Sequence, residues 1–572
     1  MSETMHELDW LFAIGVLFFL LSAWSLGAND VANSYATSVS SRSLTLVQAG
    51  CLAVITEFIG AIALGQRVTE TIRKGVFDLE PFLDSPGTLI LAMVVAEGGS
   101  AIWLTACTRM GFPVSTTQSL VGALIGVGIA LQLDVKWGWE SNSVSQIAAS
   151  WGIAPLIGAG FGAIIMLSIR VLVHDRKDPM RAALFALPFY YALTAGILTL
   201  FIIMDGGHAI PTPEEMGAGE ACGIILGVFA GVWVIASVFF VPYFHAKLVK
   251  EDHRLRFWHI PMGPLLRKEG YTLYWPGSGE TPVTVDYYAS EYVNEKSESG
   301  SANGAVNTGK EMNKQNKTLE DITTTKDGNE RHADEKRRQA EVDSKRQKDL
   351  EAVDALPWLH PRRLLATTKL VFTYGITRDI IHHQSRGLED VHQRAPRFDN
   401  KVEHLWTTAQ VCSAMIMSIA HGANDVSNAI GPFTTEYMTW KSGETSAKTG
   451  TPDWIKAVGG LTLGVGFWTF GYHIMRNLGN RITKHSPSRG FAMELAAAIT
   501  VLLASKYGLP VSTTQCITGG VIGVALVNWD LKSINWKQLL KIFIGWCLTV
   551  PCAGLVSGII MGMAINVPQW SH

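Results

Sequence analysis

Long apolar runs, separated by short polar stretches, fill most of this chain. Twelve runs approach the roughly 20 helical residues that cross a bilayer. They lie near residues 8–27, 46–65, 88–108, 113–133, 147–173, 182–204, 221–244, 405–420, 456–475, 491–507, 510–527 and 538–567. The runs that begin at Pro113 and Pro510 are short and interrupted, so they also fit re-entrant hairpins. The pattern predicts an all-α polytopic membrane protein with about 12 transmembrane segments.

The charged residues divide the chain into three parts. Of 47 Lys+Arg and 49 Asp+Glu, 26 and 25 lie between residues 245 and 404. We therefore expect an N-terminal membrane half at 1–244, a charged and largely disordered loop at 245–404, and a C-terminal membrane half at 405–572. The formal net charge of −2 provides no basic surplus, which argues against a nucleic-acid partner.

The distribution of Lys and Arg predicts the orientation of the chain in the membrane. With the N-terminus outside, thirteen Lys and Arg in short loops and at span ends face the cytoplasm and eight face outward. Because cytoplasmic loops carry the excess of positive residues, both termini are expected outside and the long loop inside.

Two motifs occur twice in the same order. Gly-Ala-Asn-Asp-Val-Ala-Asn at 27–33 recurs at 422–428 with Ser for the second Ala, and Gly-Phe-Pro-Val-Ser-Thr-Thr-Gln at 111–118 recurs at 508–515 with Leu for Phe. Glu97 and Glu494 each precede the motif proline by 16 residues. The copies stand seven spans apart, and an odd offset inverts the second copy. We therefore expect an inverted-topology repeat with discontinuous helices or re-entrant hairpins at a binding site near the midplane.

The Pro-Val-Ser-Thr-Thr-Gln motifs carry neutral hydrogen-bond donors. A glycine two residues before a proline suggests a helix start with proline in the first turn. Free amides and the positive dipole end of such a helix attract anions. Two of these ends can surround a small tetrahedral oxyanion with Ser115, Thr116, Thr117, Gln118, Ser512, Thr513, Thr514 and Gln515. The alternative interpretation, a simple helix cap, accounts for one hydroxyl per motif.

The Gly-Ala-Asn-Asp motifs place carboxylates within apolar segments. An intramembrane carboxylate is costly and points to function. Side-chain oxygens in a locally unwound helix can coordinate a hard cation such as Na⁺. The expected sodium ligands are Asn29, Asp30, Asn33, Asn424, Asp425 and Asn428. The alternative is a helix cap just outside the membrane.

Three further acids, Glu57, Glu97 and Glu494, lie within apolar spans. Each should face the protein interior, either paired or protonated. Ion coupling, proton carriage and structural hydrogen bonding remain open for them. His421 stands where the first copy has Leu26, and we interpret it as a packed polar residue.

The repeated motifs and the long central loop resemble the inorganic phosphate transporter (PiT) family. The resemblance covers residues 1–245 and 400–572, and the run 34–43 is most similar to fungal plasma-membrane members. It implies a sodium–phosphate symporter of the plasma membrane. Phosphate would lie between the Ser-Thr-Thr motifs and Na⁺ at the Asn/Asp motifs, with Glu57, Glu97 and Glu494 in positions where the family uses acids in transport.

The predicted function is thus sodium-coupled phosphate import by alternating access rather than an enzymatic activity, with no cofactor beyond the coupling ion. The predicted partners are inorganic phosphate, sodium ions and the lipid bilayer. The alternatives are proton coupling, transport of another oxyanion, and a phosphate-sensing receptor. A homodimer and regulatory proteins on the 245–404 loop also remain open.

Overall fold

The structure is a computed structural model that describes residues 4–64, 80–139, 143–205, 216–279, 284–289, 344, 347–348, 351–354, 356–358, 360–382, 385–445, 450–506 and 511–567. These residues form helices and connecting segments without a strand, which confirms the all-α class for them. Residues 280–283, 290–343, 345–346, 349–350, 355, 359 and 383–384 of the predicted loop, and Pro510 of the second motif, lie outside the described residues.

Among the described residues that precede the central loop of residues 245–404, eight longer helices occur. They are α1 (Asp9–Leu26), α2 (Ala32–Ser40), α3 (Leu46–Leu64), α4 (Pro86–Met110), α5 (Thr116–Ala130), α6 (Val144–Ile169), α7 (Pro179–Asp205) and α8 (Ala218–Ile235). π-Helical turns follow α1 at Gly27–Val31 and α6 at Arg170–His174. Further π turns at Ala236–Phe240 and His245–Val249, with the short helix Val241–Phe244 between them, extend α8.

Nine helices follow within the described part of the loop and of the C-terminal half. They are α9 (Pro361–Tyr374), α10 (Arg386–Gln393), α11 (Asn400–Asn424), α12 (Ser427–Ser442), α13 (Asp453–Phe470), α14 (Tyr472–Leu478), α15 (Pro487–Lys506), α16 (Thr513–Leu526) and α17 (Trp536–Asn566). Short 3₁₀ helices lie at His6–Leu8, Glu80–Phe82, Phe257–Met262, Leu265–Arg267, Gly375–Thr377 and Leu531–Ser533.

Seven described helical segments are long and apolar enough to cross a membrane: His6–Ser40, Pro86–Met110, Val144–His174, Pro179–Met204, Ala218–Val249, Pro487–Ala504 and Trp536–Asn566. Three shorter apolar helices accompany them, at Leu46–Ile62, Thr116–Ala130 and Thr513–Leu526. With 15 residues, α5 is about 22 Å long, which is less than the roughly 30 Å hydrocarbon core.

The flanks of the central loop contact the helical body. Arg42, just after α2, donates a hydrogen bond to the carbonyl of Asp286, and Asn400 at the start of α11 donates to the Asp286 carboxylate. Closer to α8, hydrogen bonds from Arg254 lower the pKa of Asp252 to about 2, and Tyr271 donates a further bond of 2.6 Å. These contacts place the end of α2 and the start of α11 on the same side of the protein.

Helices of the two halves pack crosswise. Helix α5 lies against α17 and α16 against α6, while α3 lies against α11 and α13 against α1. The α1–α2 unit and the α11–α12 unit run in opposite directions. Asp9 at the start of α1 accepts a 3.0 Å hydrogen bond from Trp440 near the end of α12, and Ser41, just after α2, donates one to Gln410 in α11. Helices of each half are therefore covered in part by helices of the other half.

Small residues allow the closest of these helix contacts. A Cβ on Gly126 of α5 would lie 2.0 Å from the carbonyl oxygen of Gly554 on α17. A Cβ on Gly523 of α16 would lie 2.0 Å from the carbonyl oxygen of Ala159 on α6. Membrane helices approach closely where glycine removes the side chain. These contacts fix α5 and α16, whose first residues belong to the repeated motifs.

We expect Gly126→Val to force α5 away from α17 and to lower the thermal unfolding temperature of the purified protein. Overpacking a tight interior typically costs about 1–3 kcal/mol. Gly160→Val on α6 is the matched control, because Gly160 is exposed and a Cβ added there would have no heavy atom within 4 Å. Equal unfolding temperatures for the two variants would contradict the packing role of Gly126.

The connection between α4 and α5 differs in one detail from the sequence prediction. Gly111 ends α4 with φ +74°, a conformation that favours glycine, and its amide bonds to the Thr108 carbonyl. Helix α5 then begins at Thr116, with Ser115 as its N-cap. Pro113 thus lies in the connection rather than in the first helical turn. The serine cap, not the proline, determines where the helix begins.

Candidate functional site

Asp30 and Asp425, the carboxylates of the two Gly-Ala-Asn-Asp motifs, lie close together inside the protein. Ligand atoms of Asp30, Asp425 and His421 all lie within 4.8 Å of one another, and all three side chains are buried. We call these three side chains the aspartate site. The two motif copies, 395 residues apart, therefore form one site.

Both halves donate hydrogen bonds to Asp30. Thr116 donates through its hydroxyl at 2.6 Å and its amide at 3.3 Å. Thr514 of the other half donates at 2.5 Å, and Asn33 at 3.1 Å. Asp30 is thus held by the first residues of both α5 and α16.

Asp425 has a matched set of partners. Thr513 donates at 2.8 Å, Thr117 of the other half at 3.3 Å and Asn428 at 3.3 Å. The amide of Asn428 also donates to the hydroxyls of Thr116 and Thr117, while that of Asn33 donates to Thr514. The hydroxyl-rich starts of α5 and α16 therefore converge on the two carboxylates.

Ser115 and Ser512 cap α5 and α16. Their hydroxyls accept the backbone amides of Gln118 at 3.2 Å and Gln515 at 3.3 Å. These two hydroxyls are thus engaged in capping. Unpartnered buried polar atoms remain nearby in the described part of the chain: Oε1 and Nε2 of Gln118, Oε1 of Gln515, and Oδ1 of Asn33 and Asn428. They are available to a bound ligand.

The helix break predicted at the motifs takes two forms. In the first copy, residues Gly27–Val31 form a continuous π turn rather than an unwound segment. In the second copy, α11 ends at Asn424 and α12 begins at Ser427. Both forms disturb the regular helical hydrogen bonding next to the aspartates.

The remaining motif asparagines occupy different positions. Asn29 donates to Thr108 at 2.9 Å and to the carbonyl of Phe112 at 3.1 Å, and its carbonyl accepts the amide of Val114. Asn29 therefore fastens the α4–α5 connection to the π turn. Asn424 is the last residue of α11 and is partly exposed.

Glu57 and His421 form a buried ion pair or hydrogen-bonded pair beside the aspartates. Nδ1 of His421 lies 2.8 Å from Oε2 of Glu57, and Nε2 lies 3.5 Å from Oδ2 of Asp425. Ser418 donates to the other Glu57 oxygen at 2.6 Å. His421 thus lies between Glu57 and Asp425 and contacts both. The sequence interpretation of His421 as a packed polar residue did not include this connection. The sequence signal was a histidine directly preceding one motif copy.

Glu494 lies in a separate, fully polar environment. Its carboxylate accepts hydrogen bonds from Thr37 and Ser38 at 2.6 Å, from Ser413 at 2.5 Å and from Gln410 at 3.1 Å. Glu97, its match in the first half, is equally buried, but neither of its oxygens has a hydrogen-bond partner among the described residues. The three predicted acids therefore lie in three different environments.

Comparison with known proteins identifies the family. The family model described as the phosphate transporter family matches residues 26–557. The chain is 40% identical to the phosphate-repressible phosphate permease pho-4 of Neurospora crassa, with 99% of each chain covered. It is 30% identical to the sodium-dependent phosphate transporter 2 of Bos taurus, covering 98% of this chain and 99% of that protein.

A solved structure of a protein described as "The sodium-dependent phosphate transporter" has the same fold. It matches with a TM-score of 0.63 and 23% identity, covering 98% of this chain and 100% of that one. The family predicted from the repeated motifs is confirmed over almost the entire sequence, and the chain belongs to the phosphate transporter family.

Proposed function

We propose that this protein imports inorganic phosphate together with sodium across the plasma membrane by alternating access. The observation that carries the proposal is the meeting of both motif copies at one buried site. There, two carboxylates lie against the hydroxyl-rich starts of two helices from opposite halves. The names of the relatives agree with this chemistry: that of the Neurospora protein specifies phosphate, and that of the bovine protein also sodium dependence.

The aspartate site suits a monovalent hard cation. Asp30 and Asp425 supply carboxylate oxygens, and the unpartnered Oδ1 atoms of Asn33 and Asn428 supply neutral oxygens. Two buried carboxylates at this separation repel each other unless a cation or a proton lies close by. Sodium bound to these oxygens would remove that repulsion.

Phosphate fits the starts of α5 and α16. The positive dipole ends of these helices and the unpartnered Gln118 amide are donors suited to an oxyanion. The threonine hydroxyls, which donate to the two aspartates here, would join these donors after rotating toward the anion. An anion placed there lies near two carboxylates, which oppose its binding until cations neutralise them. This electrostatic dependence of the anion on the cation provides the coupling between phosphate and sodium.

We further propose about twelve transmembrane segments arranged as an inverted repeat, with discontinuous helices or re-entrant hairpins at the binding site and both termini outside. The opposite directions of α1–α2 and α11–α12 and the crosswise packing of α5 and α16 support this arrangement. The lipid-facing character of Ala218–Val249, in which an 18-residue window has a mean hydropathy of 2.7, supports a position at the bilayer. The central loop then lies in the cytoplasm with the excess of Lys and Arg.

Labelled-phosphate uptake into transport-deficient cells tests the proposal. We expect uptake in sodium medium and background uptake in choline medium at the same pH. Unlabelled phosphate and arsenate should compete and sulfate should not, because the unpartnered Oε1 atoms of Gln118 and Gln515 can accept a hydrogen bond from a protonated oxyanion, which sulfate is not at neutral pH. Equal uptake in choline medium with an inward proton gradient would contradict sodium as the coupling ion. Competition by sulfate alone would contradict phosphate as the substrate.

The same cells distinguish a transporter from a receptor that only senses phosphate. It would bind phosphate without accumulating it, and its loop variants would retain a phenotype when transport is absent. Accumulation of labelled phosphate against its gradient would exclude that alternative, whereas saturable binding without accumulation would overturn the proposed import.

A further inference from the structure

Glu97 on α4 and Glu436 on α12 form a pair of acids that the repeated motifs do not include. The two helices pack together. Gln410 in the other half connects Glu494 and Ser41 by hydrogen bonds, and these three residues correspond by sequence offset to Gly15, Glu97 and Glu436. Both Glu97 and Glu436 are 0% exposed, and none of their four carboxyl oxygens has a hydrogen-bond partner within the described residues. We call them the Glu97–Glu436 pair.

The matched position in the other half is very different. Glu494 corresponds to Glu97 and accepts hydrogen bonds from four neutral donors. Such a set of donors stabilises an ionised carboxylate. Glu494 therefore tolerates a negative charge without a second acid nearby.

The residues that surround Glu494 are replaced one by one around Glu97. With the 395-residue offset of the first motif, Gln410 corresponds to Gly15 and Ser41 to Glu436. The three remaining donors to Glu494 correspond to apolar residues: Thr37 to Pro432, Ser38 to Phe433 and Ser413 to Phe18. The donors are lost and a second carboxyl group is gained.

Glu436 fills the space that a side chain at position 15 would occupy. A Cβ on Gly15 would lie 1.9 Å from Oε1 of Glu436 and 2.2 Å from Oε2. The carboxyl group of Glu436 thus lies against the backbone of α1, at the position that corresponds to Gln410 in the matched half.

No charged group within the described helices is paired with these acids. The charged and titratable residues on the elements packed against α4 and α12 include Asp30 and His421 at the aspartate site, Glu80 before α4, and His473 and Arg476 on the short helix α14. They also include Asp9 with Trp440, Lys441 over the Tyr437 ring, Lys456 with Asp453, Arg109 at the end of α4, and Lys537 and Lys541 at the start of α17. Two ionised carboxylates without donors in this environment would repel each other strongly. Their charge must be reduced where they lie.

We propose that the Glu97–Glu436 pair carries at least one proton at neutral pH, as a site separate from the aspartate site. Protonation of either acid removes one of the two buried charges and turns that carboxyl group into a hydrogen-bond donor. We favour a proton because it needs a single carboxyl oxygen, whereas a hard metal cation gathers several oxygen ligands.

The pair is placed to influence transport. The two acids lie on α4 and α12, and Glu436 also contacts α1. Helix α1 continues into the π turn that carries Asp30, and α12 carries Asn428 in its first turn. Loss of the proton would separate the two acids and disturb the packing of these helices. This consequence rests on the proposed function, whereas the protonation itself does not.

Infrared difference spectroscopy on the full-length protein in lipid nanodiscs tests the proposal. We expect a carbonyl stretch of a protonated carboxylic acid at neutral pH that shifts in D₂O. It should change in Glu97→Gln and Glu436→Gln and be absent when both are combined, but remain in the exposed control Glu444→Gln. Since an amide has the shape of a protonated carboxyl group, we expect both single variants to unfold at the wild-type temperature.

Two results would overturn the proposal. One is an unchanged carboxylic-acid band in the double variant, which would assign the proton elsewhere. The other is an ionised pair at neutral pH whose carboxylate bands shift when sodium replaces choline, which would make it a cation site. Failure of wild-type uptake would overturn the proposed function but would leave this band unaffected, so the two failures are distinguishable.

Discussion

Asp30→Asn and Asp425→Asn should each reduce sodium-driven phosphate uptake to the background of cells without the protein. Each aspartate accepts hydrogen bonds from both halves, and the amide retains the shape but removes the charge and two acceptor sites. Loss of one partner of a buried charged contact costs about 3–5 kcal/mol, or roughly a hundredfold or more in apparent sodium affinity. Uptake measured over a range of sodium concentrations tests this expectation.

Asp9→Asn is the matched control on the same helix as the first motif. Asp9 is exposed at the start of α1, where it accepts a hydrogen bond from Trp440. We expect the control to retain wild-type uptake and surface abundance. Wild-type sodium dependence in either Asp30→Asn or Asp425→Asn, at equal surface abundance, would exclude that aspartate from the cation site.

Glu57→Gln and His421→Leu should each lower uptake about tenfold or more, and the double variant should lose less than the product of the single effects. His421 lies 2.8 Å from Glu57 and 3.5 Å from Asp425, so it transmits the state of Glu57 to the aspartate site. Leucine is the residue at the matched position 26, which makes it a suitable replacement in a helix. Residues in direct contact show coupling energies of about 0.5–3 kcal/mol in such cycles.

The initial uptake rates of the four proteins measure this coupling. Glu7→Gln, an exposed acid near the N-terminus, serves as the control for the loss of a carboxylate. Independent effects of Glu57→Gln and His421→Leu, multiplying in the double variant, would mean that Glu57 does not act on the aspartate site through His421.

The sequence was sufficient to predict the family and the meeting of the two motif copies. Periodic apolar runs predict helices because helices satisfy their own backbone groups in lipid. The second copy of each motif at a nearly constant offset indicates a shared site. In the structure, Thr514 and Asp30, 484 residues apart, lie in hydrogen-bond contact.

The finer contacts depend on packing that no local pattern records. His421 has no counterpart in the first motif, so its contact with Glu57 follows only from the packing of α11 on α3. Glu436 lies outside both motifs, and its position against Gly15 depends on the crossing of α1 and α12. The repeated motifs predict the contacts that both halves have in common, whereas His421 and Glu436 make contacts that only one half has.

The serine residues show a second limit of sequence reasoning. All eight donors of the Ser-Thr-Thr-Gln motifs are equivalent as candidate phosphate ligands in the sequence. In the structure, Ser115 and Ser512 accept backbone amides as caps, while the threonines contact the aspartates. A hydroxyl can donate and accept hydrogen bonds, and the sequence alone does not show which partners each hydroxyl will find in the folded protein.

Equilibrium binding of radiolabelled phosphate to the purified protein, in sodium and in choline at the same pH and ionic strength, is the decisive measurement of the coupling. If cations at Asp30 and Asp425 permit the anion to bind, phosphate affinity should rise at least about tenfold in sodium, and sodium affinity should rise equally in phosphate. Asp30→Asn should abolish that difference. Identical phosphate affinity in sodium and choline for the wild-type protein would contradict the proposed dependence of the anion on the cation.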